Sequence, residues 1–357
     1  MKIVTVVGAR PQFIKAAVVS RELRNKHHEV LVHTGQHYDY NMSDIFFEEM
    51  DIPKPDYNLG IAGGTHGQMT GKMLMAIEEV LLKEQPEAIL LYGDTNSTMA
   101  GALAAVKLGI PVVHVEAGNR LGTLNNPEEV NRIVTDHVST LKMCCTASAM
   151  EFLKKEGIEN GAHLVGDPMY DAFKHYTKKV GDSVPENLMS FDDEEIELPE
   201  KFYYLTCHRQ ENTKDENTLT EILKAMATLD HPCIYPVHPR NREMAENIVK
   251  TEQFEKIIIC KPVGYLMSVY LTNHCQKIVT DSGGLQREAF FAGKQCVTVF
   301  DYVVWPETMI NNRNQLAKPD EKDILDKLSR EQVVTDNDAF GDGRSALKIV
   351  RHIDALK

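Results

Sequence analysis

Three carboxylates in the first half of the chain stand where acid–base chemistry is done. Asp94 lies in Tyr92-Gly-Asp-Thr-Asn-Ser97, directly after an apolar run, and Glu116 in His114-Val-Glu-Ala-Gly118, at the end of another. Glu128 lies in Asn126-Pro-Glu-Glu-Val-Asn-Arg132, in the opening turn of a helical pattern. Carboxylates held on one rim push their proton affinities apart, which supplies one acid and one base. Each also has a structural use: Asp94 could cap the helix that follows it, and Glu128 and Glu129 suit the positive end of a helix dipole.

Cations stand at other strand ends. Gly8-Ala-Arg-Pro-Gln-Phe-Ile-Lys15 follows the first apolar run, with Arg10 in the turn and Lys15 about one helical turn inside. Both could face a phosphate or a carboxylate, or simply solvent. His208 and Arg209 end Leu205-Thr-Cys-His-Arg209, and His238 opens His238-Pro-Arg-Asn-Arg242. In Ile278-Val-Thr-Asp-Ser-Gly-Gly-Leu-Gln-Arg-Glu288 a strand, a small-residue turn and a helix start follow one another. There the free N–H groups and the dipole favour an anion, and Gly283 and Gly284 allow a tight turn and close approach. Ser282, Gly283 and Gly284 therefore read as a diphosphate cradle, although an ordinary strand–helix turn has the same composition. Glu288, one turn further, could bind ribose hydroxyls.

Such groups must be carried on strand ends, and the sequence supplies the strands. Runs near 3–7, 29–33, 88–92, 112–114, 143–146 and 163–165 alternate with helical patterns such as 11–24, 67–82 and 98–107. The alternation restarts with 202–207, 233–237, 257–260, 277–280 and 296–299. This is the signature of parallel sheets covered by helices on both faces, with ligands at the strand carboxyl ends. The expected organisation is two Rossmann-like, doubly wound α/β domains facing a central cleft. The first covers 1–172, a polar, acidic linker region 173–200, and the second, diphosphate-holding domain 201–338; a helix at about 339–357 is expected to pack back on the first domain.

Composition excludes several classes. At 357 residues and 43% hydrophobic content the chain can build two cores. A net charge of −13 argues against a nucleic-acid face. No apolar run approaches a membrane span, and Met1–Gly8 reads as a core strand rather than a signal peptide. The seven cysteines contain no C-x-x-C and read as buried thiols, which suits a reducing cytoplasm. Neither a G-x-G-x-x-G fingerprint nor a recognisable metal-ligand cluster is present, so no nicotinamide, flavin or metal cofactor is expected.

Taken together, G-A-R-P-Q-F-I-K, G-D-T-N-S, H-V-E-A-G, P-E-E-x-N-R, H-R-x-E-N, T-D-S-G-G-x-Q-x-E and Gly341-Asp-Gly-Arg344, in this order, resemble the non-hydrolysing UDP-N-acetylglucosamine 2-epimerase family. The resemblance implies a glycosyltransferase-B-like fold, a UDP-sugar substrate, a homodimer and inversion at C2 by elimination and re-addition of UDP through a 2-acetamidoglucal. It places Arg10, Lys15, Asp94, Glu116, Glu128, His208 and Arg209 at functional positions, and Ser282, Gly283, Gly284 and Glu288 at the UDP site. The chain departs from common family features at Asn119, Gln210, Ser268 and in the short loop 121–126. Ala9, Gln12 and Val32-His-Thr-Gly-Gln-His-Tyr38 are similar to members acting on 2,3-diacetamido-glucuronate sugars. UDP-N-acetylglucosamine is the first expectation. A glycosyltransferase, a hydrolysing epimerase and a nucleotide-sugar sensor are the competing functions, separated by whether UDP-N-acetylglucosamine alone is interconverted, hydrolysed or left intact.

Overall fold

The computed structural model describes residues 1–35, 48–335 and 338–356. Gln36, His37 and Tyr38 of the 32–38 stretch lie outside the described residues. The chain divides into two units, Met1–Lys174 with Asn337–Lys357, and His175–Asp336.

The first unit carries a sheet of seven parallel strands: β1 (Lys2–Val7), β2 (His28–His33), β3 (Tyr57–Asn58), β4 (Ala88–Tyr92), β5 (Val112–Ala117), β6 (Leu141–Cys144) and β7 (Ala162–Leu164). Their order is β3-β2-β1-β4-β5-β6-β7. Central strands are covered on both faces, so β1 buries Ile3, Val4, Val6 and Val7 almost completely; each such side chain contributes about 1.5–3 kcal/mol. On one face Val4, Val6, Ile89 and Leu91 share a core with Met73, Ile77 and Val80 of helix His66–Glu84 and Ala100 and Ala104 of helix Asn96–Lys107. Helix Ser345–Asp354 packs on helix Arg10–Leu23. It is shorter than the expected span 339–357 because Gly341 and Gly343 hold φ of 86° and 78°, outside helical space.

A short antiparallel pair, β8 (Leu188–Met189) and β9 (Glu195–Ile196), precedes the second sheet. Leu188 is buried in the core formed by Phe202, Tyr204 and Ile234, with Ile196 and Leu198 packed against it. The polar stretch before residue 200 is thus pinned to the second unit by its few apolar residues. The second sheet is β10 (Tyr203–Thr206), β11 (Cys233–Pro236), β12 (Ile257–Cys260), β13 (Lys277–Thr280), β14 (Gln295–Thr298) and β15 (Asn314–Leu316), all parallel, in the order β12-β11-β10-β13-β14-β15. The short strands β3 and β15 lie at sheet edges, where two or three residues of polar composition leave no periodic signal.

In both sheets the winding reverses beside the first strand, between β1 and β4 and between β10 and β13. Adjacent loops diverge at such a point and leave room above the strand ends. The motif residues sit there. All seven cysteines are buried thiols, and no helix among the described residues is long and apolar enough to cross a membrane.

Candidate active site

The first unit's switch point is built on Gln12. Its buried carboxamide accepts from the N–H of Gly8 (2.7 Å) and Ala9 (3.0 Å), and donates to the Tyr92 carbonyl (2.7 Å), Thr95 Oγ1 and Thr98 Oγ1 (both 3.0 Å). One side chain thereby ties the turn before helix Arg10–Leu23 to the loop carrying Asp94, and takes up the N–H groups of Gly8 and of the N-cap Ala9. Arg10, half-buried, is the first residue of that helix.

Lys15 and Glu116 meet in the interior. The Lys15 ammonium bonds Glu116 Oε2, and their side chains are only 3% and 10% exposed. Glu116 lies at a register shift between Val115 and Ala117, with φ of 71°. A non-glycine residue in the left-handed region costs on the order of 1–3 kcal/mol and persists only where its surroundings impose it. Gly118 follows at φ 86°, where an added Cβ would lie 2.5 Å from the Ala149 carbonyl oxygen. Donor atoms of Glu116, Cys145 and Asp167 lie within 4.8 Å of one another. This is a buried ligand-type cluster that sequence spacing did not reveal, because its members come from three separate segments of the chain. Lys15 already places an ammonium on it.

Asp94 is half-buried and bonds Arg132 Nη2 at 2.5 Å, while Asn131 donates to its main-chain oxygen at 2.8 Å. Arg132 also holds Glu129 at 3.0 Å. Burial opposes the charge of Arg132, but Asp94, Glu129 and Glu116 outweigh it and raise its proton affinity. The two glutamates of the helix start have different fates. Glu129 is buried and accepts from the N–H of Leu121 (2.7 Å) and Gly122 (3.0 Å), so it anchors the preceding loop. Glu128 is exposed. Beneath them His114 joins Asp136 (2.7 Å) to the Gly93 carbonyl (2.6 Å), and Asp136 accepts from Gly118 N–H (3.0 Å) and Arg120 (2.7 Å). Burial works against ionised Asp136, but His114 and Arg120 prevail and lower its pKa. The loops holding Asp94 and Glu116 therefore rest on one buried network.

The second unit's switch point gathers anion-binding groups. Ser282 caps helix Gly283–Phe291 by accepting from Leu285 N–H at 3.3 Å. The N–H groups of Gly283 and Gly284 find no protein acceptor among the described residues. Neither glycine has positive φ, so the expected tight-turn role falls away. Both are ordinary first-turn residues whose missing Cβ leaves room at the helix start. Ser282→Ala is expected to cost about 1 kcal/mol of stability, the usual value of an N-cap; thermal melts check it.

Arg209 is gripped by aromatic residues: its guanidinium lies 4.2 Å from the Phe300 ring centre and bonds Tyr302 Oη. His208 is half-exposed and lies 3.1 Å from Asp281 Oδ1. His238 accepts from Arg240 N–H at 3.3 Å, which makes it a cap of the short turn 239–241. Glu288 is buried and accepts from Tyr265 Oη at 2.9 Å.

The family model for UDP-N-acetylglucosamine 2-epimerase matches residues 21–354. The chain belongs to this family. It is 46% identical over 356 residues, 98% of each chain, to a UDP-N-acetylglucosamine 2-epimerase homolog of Methanococcus maripaludis. It is 44% identical, over the whole of both chains, to the UDP-2,3-diacetamido-2,3-dideoxy-D-glucuronate 2-epimerase of Pseudomonas aeruginosa. Among solved structures it is similar to the Methanocaldococcus jannaschii UDP-GlcNAc 2-epimerase in complex with UDP-GlcNAc and UDP, with a TM-score of 0.86, 35% identity and coverage of 99% and 100% of the two chains.

In this member of the 2-epimerase family, Lys15 and Glu116 come together, Asp94 joins Arg132, and His208, Arg209 and Ser282–Gly284 share the second switch point. Sequence reasoning passed over Gln12, Arg132, Asp281 and Tyr265 as site residues. The Glu129–Arg132 spacing of three was a usable signal for the second. Nothing local pointed to Asp281 and Tyr265, whose partners are distant in sequence, while Gln12 joins the nearby Gly8 and Ala9 to the distant 92–98 segment.

Proposed function

We propose that the chain is a UDP-sugar 2-epimerase, converting UDP-N-acetylglucosamine to UDP-N-acetylmannosamine. The observation that carries this reading is a division of groups between the two switch points. Carboxylates with fixed counter-cations occupy one, and open helix N–H groups with His208 and Arg209 occupy the other. Asp94, Glu116 and Glu128 act on the sugar. One carboxylate takes the C2 proton, the C–H electron pair becomes the C1–C2 double bond, and the C1–O pair leaves with UDP. The product is a 2-acetamidoglucal. UDP then re-adds at C1 and a proton returns to C2 from the other face. His208, Arg209, Arg10, His238 and the helix start at Ser282–Gly284 hold UDP through departure and return, and Glu288 binds its ribose. Electrons balance without an external oxidant or reductant.

The experiment is incubation with UDP-N-acetylglucosamine alone, followed by proton NMR in deuterated water. Interconversion of two UDP-sugars with deuterium at C2 is expected; hydrolysis or an unchanged spectrum would overturn the reading. His208→Ala should let UDP escape, so that glucal and free UDP accumulate. A second reading is favoured by the full-length similarity to the diacetamido-glucuronate epimerase. A panel of UDP-sugars differing at C3 and C6 decides between the two by turnover.

A further inference from the structure

His114 lies in β5, two residues before Glu116, and takes no part in the proposed chemistry. Its side chain is fully buried, as is that of Asp136 opposite it. Nδ1 lies 2.7 Å from Asp136 Oδ1, and Nε2 lies 2.6 Å from the Gly93 carbonyl oxygen. Both partners of the ring are therefore oxygens. A backbone carbonyl can only accept. Oδ2 of Asp136 already receives the Gly118 N–H (3.0 Å) and Arg120 Nη1 (2.7 Å), the pattern of an ionised carboxylate. Turning the ring over would set carbon atoms against both oxygens and lose both bonds.

We infer that His114 is an imidazolium donating at both ends, and that it is a positioning residue: it clamps the turn carrying Asp94 to the strand carrying Glu116. A neutral imidazole has one N–H. With that hydrogen on Nε2, Nδ1 would turn a lone pair on the Asp136 carboxylate. With it on Nδ1, Nε2 would turn one on the Gly93 carbonyl. Either arrangement sets two buried acceptors face to face, which a dry interior penalises.

The clamp sits beside the assigned chemistry. Gly93 gives its own N–H to the Val115 carbonyl at 2.9 Å, so both its main-chain polar groups are tied to β5. Its φ is 65°, and an added Cβ would lie 3.5 Å from Lys15 Nζ. The clamped turn thus lies against the Lys15–Glu116 pair, and Asp94 is the next residue. Through Asp136 the ring also reaches the Gly118 N–H, on the far side of Glu116. The inference rests on the reading of Asp94 and Glu116 as groups that act on the sugar.

The charges around the pair keep Asp136 ionised. Burial opposes its charge, but His114 and Arg120 outweigh it. Arg120 is shared with Glu156 at 2.6 Å. Lys142 of β6 also attracts Asp136, although burial lowers its pKa, and it donates to the Ser139 carbonyl at 2.9 Å. Cys144 of β6 adds no charge, because burial and Asp136 push its thiol up to about 12.

The test uses the ligand-free, full-length protein with 15N-labelled histidine at neutral pH, His114 being assigned by correlation with its own backbone. Long-range proton–nitrogen spectra should show both ring nitrogens of His114 protonated. In Asp136→Asn the facing amide can donate, so Nδ1 should lose its proton while Nε2 keeps the one it gives to Gly93. A glutamine side chain donates at one atom and accepts at the other, so it cannot serve both oxygens. His114→Gln should therefore lower kcat by about tenfold to a hundredfold, the scale of a misplaced catalytic group, with UDP affinity by calorimetry unmoved. A wild-type ring carrying a single proton would overturn the inference. So would a kcat for His114→Gln within about twofold of wild type, or a loss of kcat matched by an equal loss of UDP affinity, which marks general loosening. If the ring carries both protons and His114→Gln loses turnover while Asp94→Asn and Glu116→Gln keep theirs, the clamp stands and the carboxylate reading fails. Should His114→Gln not fold, the spectra of the wild type and of Asp136→Asn decide.

Discussion

Glu116→Gln is expected to cut turnover by at least about a hundredfold while UDP still binds, the usual scale for losing an acid or base. The substitution keeps volume, shape and an oxygen for the Lys15 ammonium, but an amide cannot take a proton from carbon. The backbone of Glu116 is in the left-handed region, held by the bulge in β5 and by the tight packing of Gly118 on Ala149, so the side chain has little freedom to compensate. UDP binding is assigned to Arg10 and to groups of the second unit, not to Glu116, and should be nearly unaffected. Steady-state rates, calorimetry with UDP, and deuterium uptake at C2 measure the three quantities separately. Asp94→Asn should behave alike. If both variants keep near-normal turnover and exchange, the chemistry does not belong to these carboxylates.

Lys15→Met is expected to destabilise the protein by about 3–5 kcal/mol, because removing one partner of a buried ion pair strips a buried carboxylate of its directly bonded ammonium. Glu116 would then remain buried beside Cys145 and Asp167 without its ammonium. The double variant Lys15→Met, Glu116→Gln should recover a large part of the loss, since the carboxylate that lost its ammonium is removed as well. Urea unfolding of the four proteins closes the cycle. A single-variant loss below about 1 kcal/mol, the value of a solvent-screened pair, would show that the pair is not buried in the sense used here.

The strands were legible because a parallel sheet covered on both faces needs nearly continuous apolar runs, and β1, β4 and β13 have them. The candidate site was legible to the extent that its residues follow those runs. Asp94, Glu116, His208 and Ser282 could be placed at strand or helix ends from adjacency alone. What escaped depends on contacts between distant segments. Gln12 looked like an unremarkable polar residue in a helix start, yet it bridges two loops 80 residues apart. Asp281 is one of several polar residues between a strand and a helix, and its partner His208 lies 73 positions upstream. Glu128 and Glu129 are equivalent on paper; which one is buried is decided by the loop at Leu121 and Gly122. The glycine pair was misjudged in one respect, since composition does not distinguish a residue that needs positive φ from one that needs only a missing Cβ.

The second unit is threaded into the first as an insertion, so the chain crosses between the units twice. The final segment is then fastened to the first unit by contacts that do not depend on the crossing. Phe340 accepts from Asp167 N–H at 2.9 Å, Asp171 accepts from Ala346 N–H at 2.8 Å, Asp354 holds Lys26 and His27 at 2.8 and 2.7 Å, and His352 stacks on His163 with ring centres 3.8 Å apart. A protease nick at the first crossing would therefore leave two polypeptides that still migrate as one particle, the C-terminal helix serving as a noncovalent clasp. A nick at both crossings would sever every covalent link between the second unit and the first.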